Sequence, residues 1–163
     1  MHLQQLSAEH QDAVLEFETV NREYFAAAIT DRGDDFFAEY PARHAALLQL
    51  QAEGTDAFHL LLTDDGTVAG RVNLVCISDG EAELGYRVGR EFAGRGLATE
   101  GVRRVCVLAG TVYGLRLLRA ETSVDNHGSQ KVLLRNGFSV VGETMNGGRP
   151  GLRFQLDLDP AGR

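Results

Sequence analysis

Between Glu83 and Ala109 the chain passes from an alternating strand-like run, through a glycine-rich turn, into a three-and-four apolar repeat. The run Glu83-Leu84-Gly85-Tyr86-Arg87-Val88 reads as a strand that ends at Val88. Ala98, Val102, Val105, Ala109 and Val112 form the stripe of a helix that starts near Gly96. A strand, a glycine turn and a helix make a socket for an anion. The first N–H groups of a helix have no partner within it, and the helix dipole adds partial positive charge there. Gly94 and Gly96 let the backbone approach a ligand with no Cβ in the way, and Arg90 and Arg95 are placed to add full charge. A Walker loop needs Gly-Lys-Ser/Thr, which this turn lacks. The dinucleotide fingerprint needs a third glycine where this chain has Thr99. Both familiar nucleotide loops are therefore excluded.

Upstream, Met1 to Leu6 reads as an edge strand, and Ser7 can cap a helix with the stripe Val14, Phe17, Val20, Tyr24, Phe25 and Ala28. The link Thr30 to Asp35 breaks it. A second helical stretch runs from Phe36 past Pro41 to a stop at Gly54. The period then becomes that of strands: Phe58 to Thr63 and Val68 to Ile77 flank the hairpin turn Asp64-Asp65-Gly66-Thr67. Ser78-Asp79-Gly80 leads into the strand Glu81 to Val88. Downstream, Gly114 ends the helix and Leu115 to Val124 reads as a strand. Asn126 to Asn136 reads as a short helix capped by Gly137, and Phe138 opens a strand that continues through Ser139 to Thr144. A loop over Met145 to Gly151 precedes a final strand that places Leu152, Phe154, Leu156 and Leu158 on one face and that is short enough to pair with another chain.

A chain of 163 residues with no visible boundary reads as one domain over residues 1–163. A net charge of -7 argues against a nucleic-acid partner. Cys76 and Cys106 sit in apolar runs, where a buried reduced thiol is expected, and two isolated cysteines make neither a metal site nor a disulfide framework. With no signal peptide and no membrane-length apolar segment, the expectation is a soluble cytoplasmic protein with no membrane partner.

The turn Ala93-Gly94-Arg95-Gly96-Leu97-Ala98 resembles the acetyl-CoA motif of the GCN5-related N-acetyltransferase (GNAT) superfamily, Gln/Arg-x-x-Gly-x-Gly/Ala, with alanine in the leading position. The segment Asn126-His127-Gly128-Ser129 through Gly137-Phe138 to Gly142 is similar to a second motif of that superfamily. Gly-Tyr-x-Val before the loop and Gly-x-Gly-x-Ala-Thr-Glu within it resemble the RimJ/RimL branch, whose members include enzymes acetylating protein N-terminal amines. The resemblance implies an α+β fold in α/β/α layers. It implies a mixed, mostly antiparallel sheet of about six or seven strands with about four helices, and splayed central strands forming the acetyl-CoA cleft.

Carried across residue by residue, the resemblance implies that backbone groups of Tyr86, Arg87 and Val88 pair with the pantetheine arm. Gly94, Arg95, Gly96, Leu97, Ala98 and Thr99 would hold the pyrophosphate, and Asn126 would touch the CoA arm. A backbone N–H near Val88 would face the oxyanion. Glu83 and Glu121 are candidate bases on the two strands flanking the cleft. Leu133 stands where other branches carry a tyrosine, and the resemblance to RimL-like enzymes implies Ser129 as the candidate acid. Each glutamate also reads as a solvated strand residue, and Ser129 as a helix-terminal residue bonding its own backbone. Tyr24, Phe25, Phe36, Phe37 and Tyr40 are divided between acceptor pocket and core. Asp34, Asp35 and Glu39 are divided between steering a cationic acceptor and a solvated loop. His59 reads as a strand residue and His127 as a weak catalytic candidate. The implied partners are acetyl-CoA as cosubstrate and a primary-amine acceptor, with no metal, and a homodimer is left open. Three functions remain open: acetylation of a protein or peptide N-terminus, acetylation of a small amine, and non-catalytic acyl-CoA sensing.

Overall fold

The computed structural model describes residues 1–158. Seven strands form one sheet: β1 (His2–Gln5), β2 (Ala57–Leu62), β3 (Val68–Ser78), β4 (Glu81–Val88), β5 (Leu117–Ser123), β6 (Ser139–Asn146) and β7 (Arg149–Asp157). Their order across the sheet is β1-β2-β3-β4-β5-β7-β6, and every neighbouring pair is antiparallel except β4 with β5. That parallel pair meets only at Glu81–Leu117, Ala82–Leu118 and Glu83–Arg119. Beyond it, β4 stays on the β3 side as far as Val88 while β5 runs on against β7 to Ser123, so the sheet opens into a V.

Alternation along β2 sends its side chains to two cores. Phe58, Leu60 and Leu62 join Val14, Phe17 and Tyr40 beneath the first four helices, α1 (Gln11–Val20), α2 (Arg22–Ala26), α3 (Asp34–Ala38) and α4 (Tyr40–Glu53). Ala57 and Leu61 join Val102, Val105 and Leu133 beneath α5 (Leu97–Thr111) and α6 (His127–Arg135). The layers are thus helix, sheet, helix. Val102 and Val105 are fully buried, each side chain worth about 1.5–3 kcal/mol of transfer free energy. At Gly101 a Cβ would lie 2.8 Å from the Leu61 side chain, so glycine sets how closely α5 lies on the sheet.

Among the described residues six helices stand where about four are expected, because both upstream stretches divide. Asn21 donates its side-chain amide to Phe17 O at 2.9 Å and ends α1. Glu39 separates α3 from α4, whose first turn accepts Pro41 without losing an N–H bond. The buried face of the first pair is Val14, Phe17, Glu18, Asn21 and Phe25, and Val20 stands 70 % exposed. Val112 likewise lies beyond the end of α5 and is exposed.

The expected loop from Met145 to Gly151 is instead a tight hairpin. Gly147 and Gly148 both have positive φ, 57° and 80°, the pairing that lets a two-residue connection match strand twist. The final strand β7 is interior, inserted between β5 and β6, so the sheet edges are β1 and β6 rather than the last strand. Cys76 is exposed, not buried: a bulge between Val75 and Ser78 sets it at φ 54° and turns it out of the core. Cys106 is partly buried, and burial pushes its thiol up to about 12.

Candidate active site

A cavity of about 1120 Å³ occupies the V and extends to both faces of the sheet. At one end it is walled by Gly94, Gly96 and the first turn of α5, Leu97, Ala98 and Thr99. Glu100 N–H closes the first helical bond, to Gly96 O at 3.0 Å, so the N–H groups of Leu97 to Thr99 precede the helical ladder. Gly94 and Gly96 both have φ 75°, which only glycine adopts freely, and a Cβ on either would meet nothing within 4 Å. The turn is open backbone, shaped for an anion. Arg95 turns its guanidinium toward the Phe92 ring, 5.9 Å from the centroid, and is not part of the cavity wall; Lys131 and Arg135 of α6 are.

The middle of the cavity is the free edge of β4. Gly89 N–H bonds Ala69 O at 2.9 Å, and antiparallel alternation then turns Arg87 and Gly85 toward β3. The backbone groups of Tyr86 and Val88 and the carbonyl of Leu84 therefore face the gap, where no strand among the described residues pairs with them, whereas the backbone of Arg87 is taken up by β3 and is not free for the pantetheine arm. Asn21 of the first core fixes where this edge ends, accepting Arg90 N–H on Oδ1 at 2.9 Å. Asn126 caps α6, its Oδ1 accepting Ser129 N–H at 3.1 Å. Ser129 Oγ is not spent on its own helix: it lies 2.6 Å from the Tyr86 hydroxyl, which reaches across the V from β4 and is also 3.0 Å from Ser129 O. Burial raises the Tyr86 phenol to about 12, so it remains protonated at neutral pH.

At the far end Glu121 lines the cavity, its Oε2 accepting the Asn146 side-chain amide at 2.7 Å. Glu83 does not line it; it sits at the closed foot of the V, opposite Arg119. Beneath this end lies Glu18, 1 % exposed, bound by Arg71 at 2.8 Å, Arg32 at 3.0 Å and Arg87 at 3.3 Å. The Arg87 guanidinium also lies 4.6 Å over the Phe25 ring. Burial lowers Arg87 to about 10, leaving it charged at neutral pH, and lowers Arg32 as well. Tyr24 and Phe25 line the cavity, whereas Phe36 and Tyr40 are buried in the core and Phe37 packs against it. Asp34 and Asp35 form the first turn of α3, Asp34 pairs with Arg22, and neither they nor Glu39 lines the cavity. His59 is buried between Val72 O and the Tyr113 hydroxyl, and His127 is exposed at the start of α6.

The model of the acetyltransferase (GNAT) domain matches residues 1–139. The chain belongs to the GNAT family. Among relatives, this GNAT protein is 29 % identical over 136 residues to the probable N-acetyltransferase YjcK of Bacillus subtilis, covering 78 % of this chain and 74 % of that one. The ribosomal-protein-S5-alanine acetyltransferase of Vibrio fischeri superposes with a TM-score of 0.91 at 18 % identity, over 97 % of this chain and 93 % of that one. The spermidine N-acetyltransferase of Vibrio cholerae, solved with CoA and spermine, does so at 0.83 and 15 %, over 99 % and 98 %.

Within the GNAT frame the residues present fit CoA: a backbone socket for phosphates, a strand edge without a partner, and cationic side chains on α6. Four side chains have roles that escape the sequence motifs. Glu18 and Asn21 do leave a signal, as polar residues on the buried i, i+3, i+4, i+7 face of α1. The Tyr86 hydroxyl and the Asn146 amide leave none, since each acts across strands distant in sequence.

Proposed function

We propose that this GNAT protein transfers the acetyl group of acetyl-CoA to a primary amine, and that the amine is the N-terminus of a peptide or protein. One observation supports this most: Glu121 and the Ser129–Tyr86 pair line one cavity that also contains the unpaired edge of β4. Acetyl-CoA supplies a thioester. The amine nitrogen bonds to its carbonyl carbon as the carbon–sulfur bond breaks, and the amine proton leaves through Glu121.

Asn146 holds the Glu121 carboxylate toward the cavity. An α-amine has a pKa near ~8, against ~10.4 for lysine, so an exposed carboxylate acting directly or through water is base enough. Val88 N–H, on the free edge, faces the charge that develops on the acetyl oxygen. On the other wall, Ser129 Oγ and the Tyr86 hydroxyl share a hydrogen bond in which either can donate, and this pair supplies the proton that the departing sulfur takes up. This pair takes the role vacated at Leu133, which is fully buried in the core. Glu83, at the foot of the V, is left as a strand residue.

The test is CoA thiol release with short peptides bearing free or blocked N-termini, polyamines and aminoglycosides. Release that requires a free peptide N-terminus is expected. Release with small amines alone would move the protein to a small-molecule acceptor. Silence throughout, with acetyl-CoA still raising the melting temperature, would favour a sensor. Ser129→Ala is expected to lower kcat by ~10²-fold, within the range for loss of a general acid, with acetyl-CoA affinity retained.

A further inference from the structure

The acceptor end of the cavity carries the wrong charge for a polycation. Arg32, Arg71, Arg87 and Arg149 line it, and Glu121 is the carboxylate that joins them there among the described residues. Glu18 lies behind, and its two oxygens serve three of those arginines. Four guanidinium groups thus face two carboxylates, in a protein whose net charge is -7. The phosphates of CoA do not account for this excess. Their socket at Gly94 to Thr99, with Lys131 and Arg135, has its own donors at the other end.

Hydrogen bonding agrees with the charge. Arg71 is 4 % exposed and lines the cavity, yet its buried Nε–H has no partner. On the same face of β3, two residues along, the buried Oδ1 of Asn73 also has none, and Asn73 lines the cavity too. A buried donor and a buried acceptor left unmade are costly unless the occupant satisfies both, a carboxylate accepting from Arg71 Nε–H and an N–H donating to Asn73 Oδ1.

We propose that the acceptor is a primary amine bearing a carboxylate a few bonds from its nitrogen, held by Arg71, Arg32 and Arg87, with Asn73 Oδ1 accepting an acceptor N–H. The inference rests on the acetyltransferase reading above. An acidic residue at or beside a peptide N-terminus supplies this chemistry, and so does a free amino acid through its α-carboxylate. Amines with further positive charge are repelled by the same arginines.

The experiment compares kcat/KM at saturating acetyl-CoA for peptides that begin with Glu, Gln or Lys and are otherwise identical, alongside free glutamate and glutamine. Glu is expected to exceed Gln by about tenfold, the worth of one hydrogen bond to a charged group, with Lys lowest. Arg71 is too buried to replace without risk to folding. Arg32, 32 % exposed at its side chain, is the informative site. Arg32→Gln is expected to shrink the Glu/Gln ratio severalfold, chiefly through acceptor KM. Preference for the Glu peptide over glutamate assigns the carboxylate to a peptide. The reverse supports the subsite with a free amino acid as its source. Equal rates for the Glu and Gln peptides, with robust turnover that neither free amino acid exceeds, would overturn the carboxylate subsite and leave the acetyltransferase intact. No acetylation of any free amine, by protein that still binds acetyl-CoA, would overturn both.

Discussion

The two ends of the cavity are built from different material. The α5 end is backbone: two glycines at φ 75° and a helix start whose first N–H groups lie outside the ladder. The other end is side chain: Glu18 from α1, Arg71 from β3, Arg87 from β4 and Arg32 from the loop before α3, gathered into one buried ionic cluster. A backbone socket binds any suitably shaped anion and needs only a local turn. A side-chain cluster depends on long-range packing, can be remade by substitution, and so suits the half that selects an acceptor. Under the proposed function, specificity and cofactor binding are then separable within one V-shaped gap.

The sharpest way to break this contrast is Glu18→Ala. It leaves three arginines, one of them almost fully buried, without their carboxylate, and breaking a buried pair typically costs ~3–5 kcal/mol. The denaturation midpoint is expected to fall accordingly, with the acceptor KM rising in any fraction that folds. Next in size is Gly96→Ala. A left-handed alanine costs roughly 1–2 kcal/mol, and the distorted turn is expected to weaken acetyl-CoA binding measured by calorimetry, with less effect on stability than Glu18→Ala. If the two substitutions had equal effects on acetyl-CoA affinity, the ends would not be separable.

The smallest effect comes from the core under α5, where burial lowers the His59 pKa below its ordinary 6.5. The unfolded chain binds this proton at a pH where the folded chain does not. The His59 contribution is therefore intact above pH 6.5 and is lost progressively as pH falls from there through the depressed folded value. Melting temperature followed from pH 8 to pH 5 is expected to drop below pH 6.5, and His59→Gln is expected to flatten that limb.

The same contrast explains what the sequence makes legible. Gly94, Gly96 and the stripe Val102, Val105, Ala109 lie within one short stretch, so spacing alone reveals turn, helix and socket. The sheet follows because each strand alternates and each turn carries its own chemistry. Side chains gathered from distant elements leave no such trace: Arg71 and Arg87 become neighbours only through the β3–β4 register. Glu18 is visible only as an acidic residue on an apolar helix face. The choice of Val20 over Asn21 for that face shows how one residue of phase hides a buried polar pair. The Met145 to Gly151 segment reads as a loop because Asn-Gly-Gly is turn chemistry, while its flanks pair tightly enough to bring Asn146 to Glu121.

The most direct measurement is steady-state kinetics with both substrates varied, for wild type, Gly96→Ala and Arg32→Gln. If the cavity has two independent ends, Gly96→Ala raises the KM for acetyl-CoA and not that for the acceptor, and Arg32→Gln does the opposite. An Arg32→Gln protein whose acetyl-CoA KM rises as far as that of Gly96→Ala would contradict the division and place the arginine cluster in the cofactor site instead.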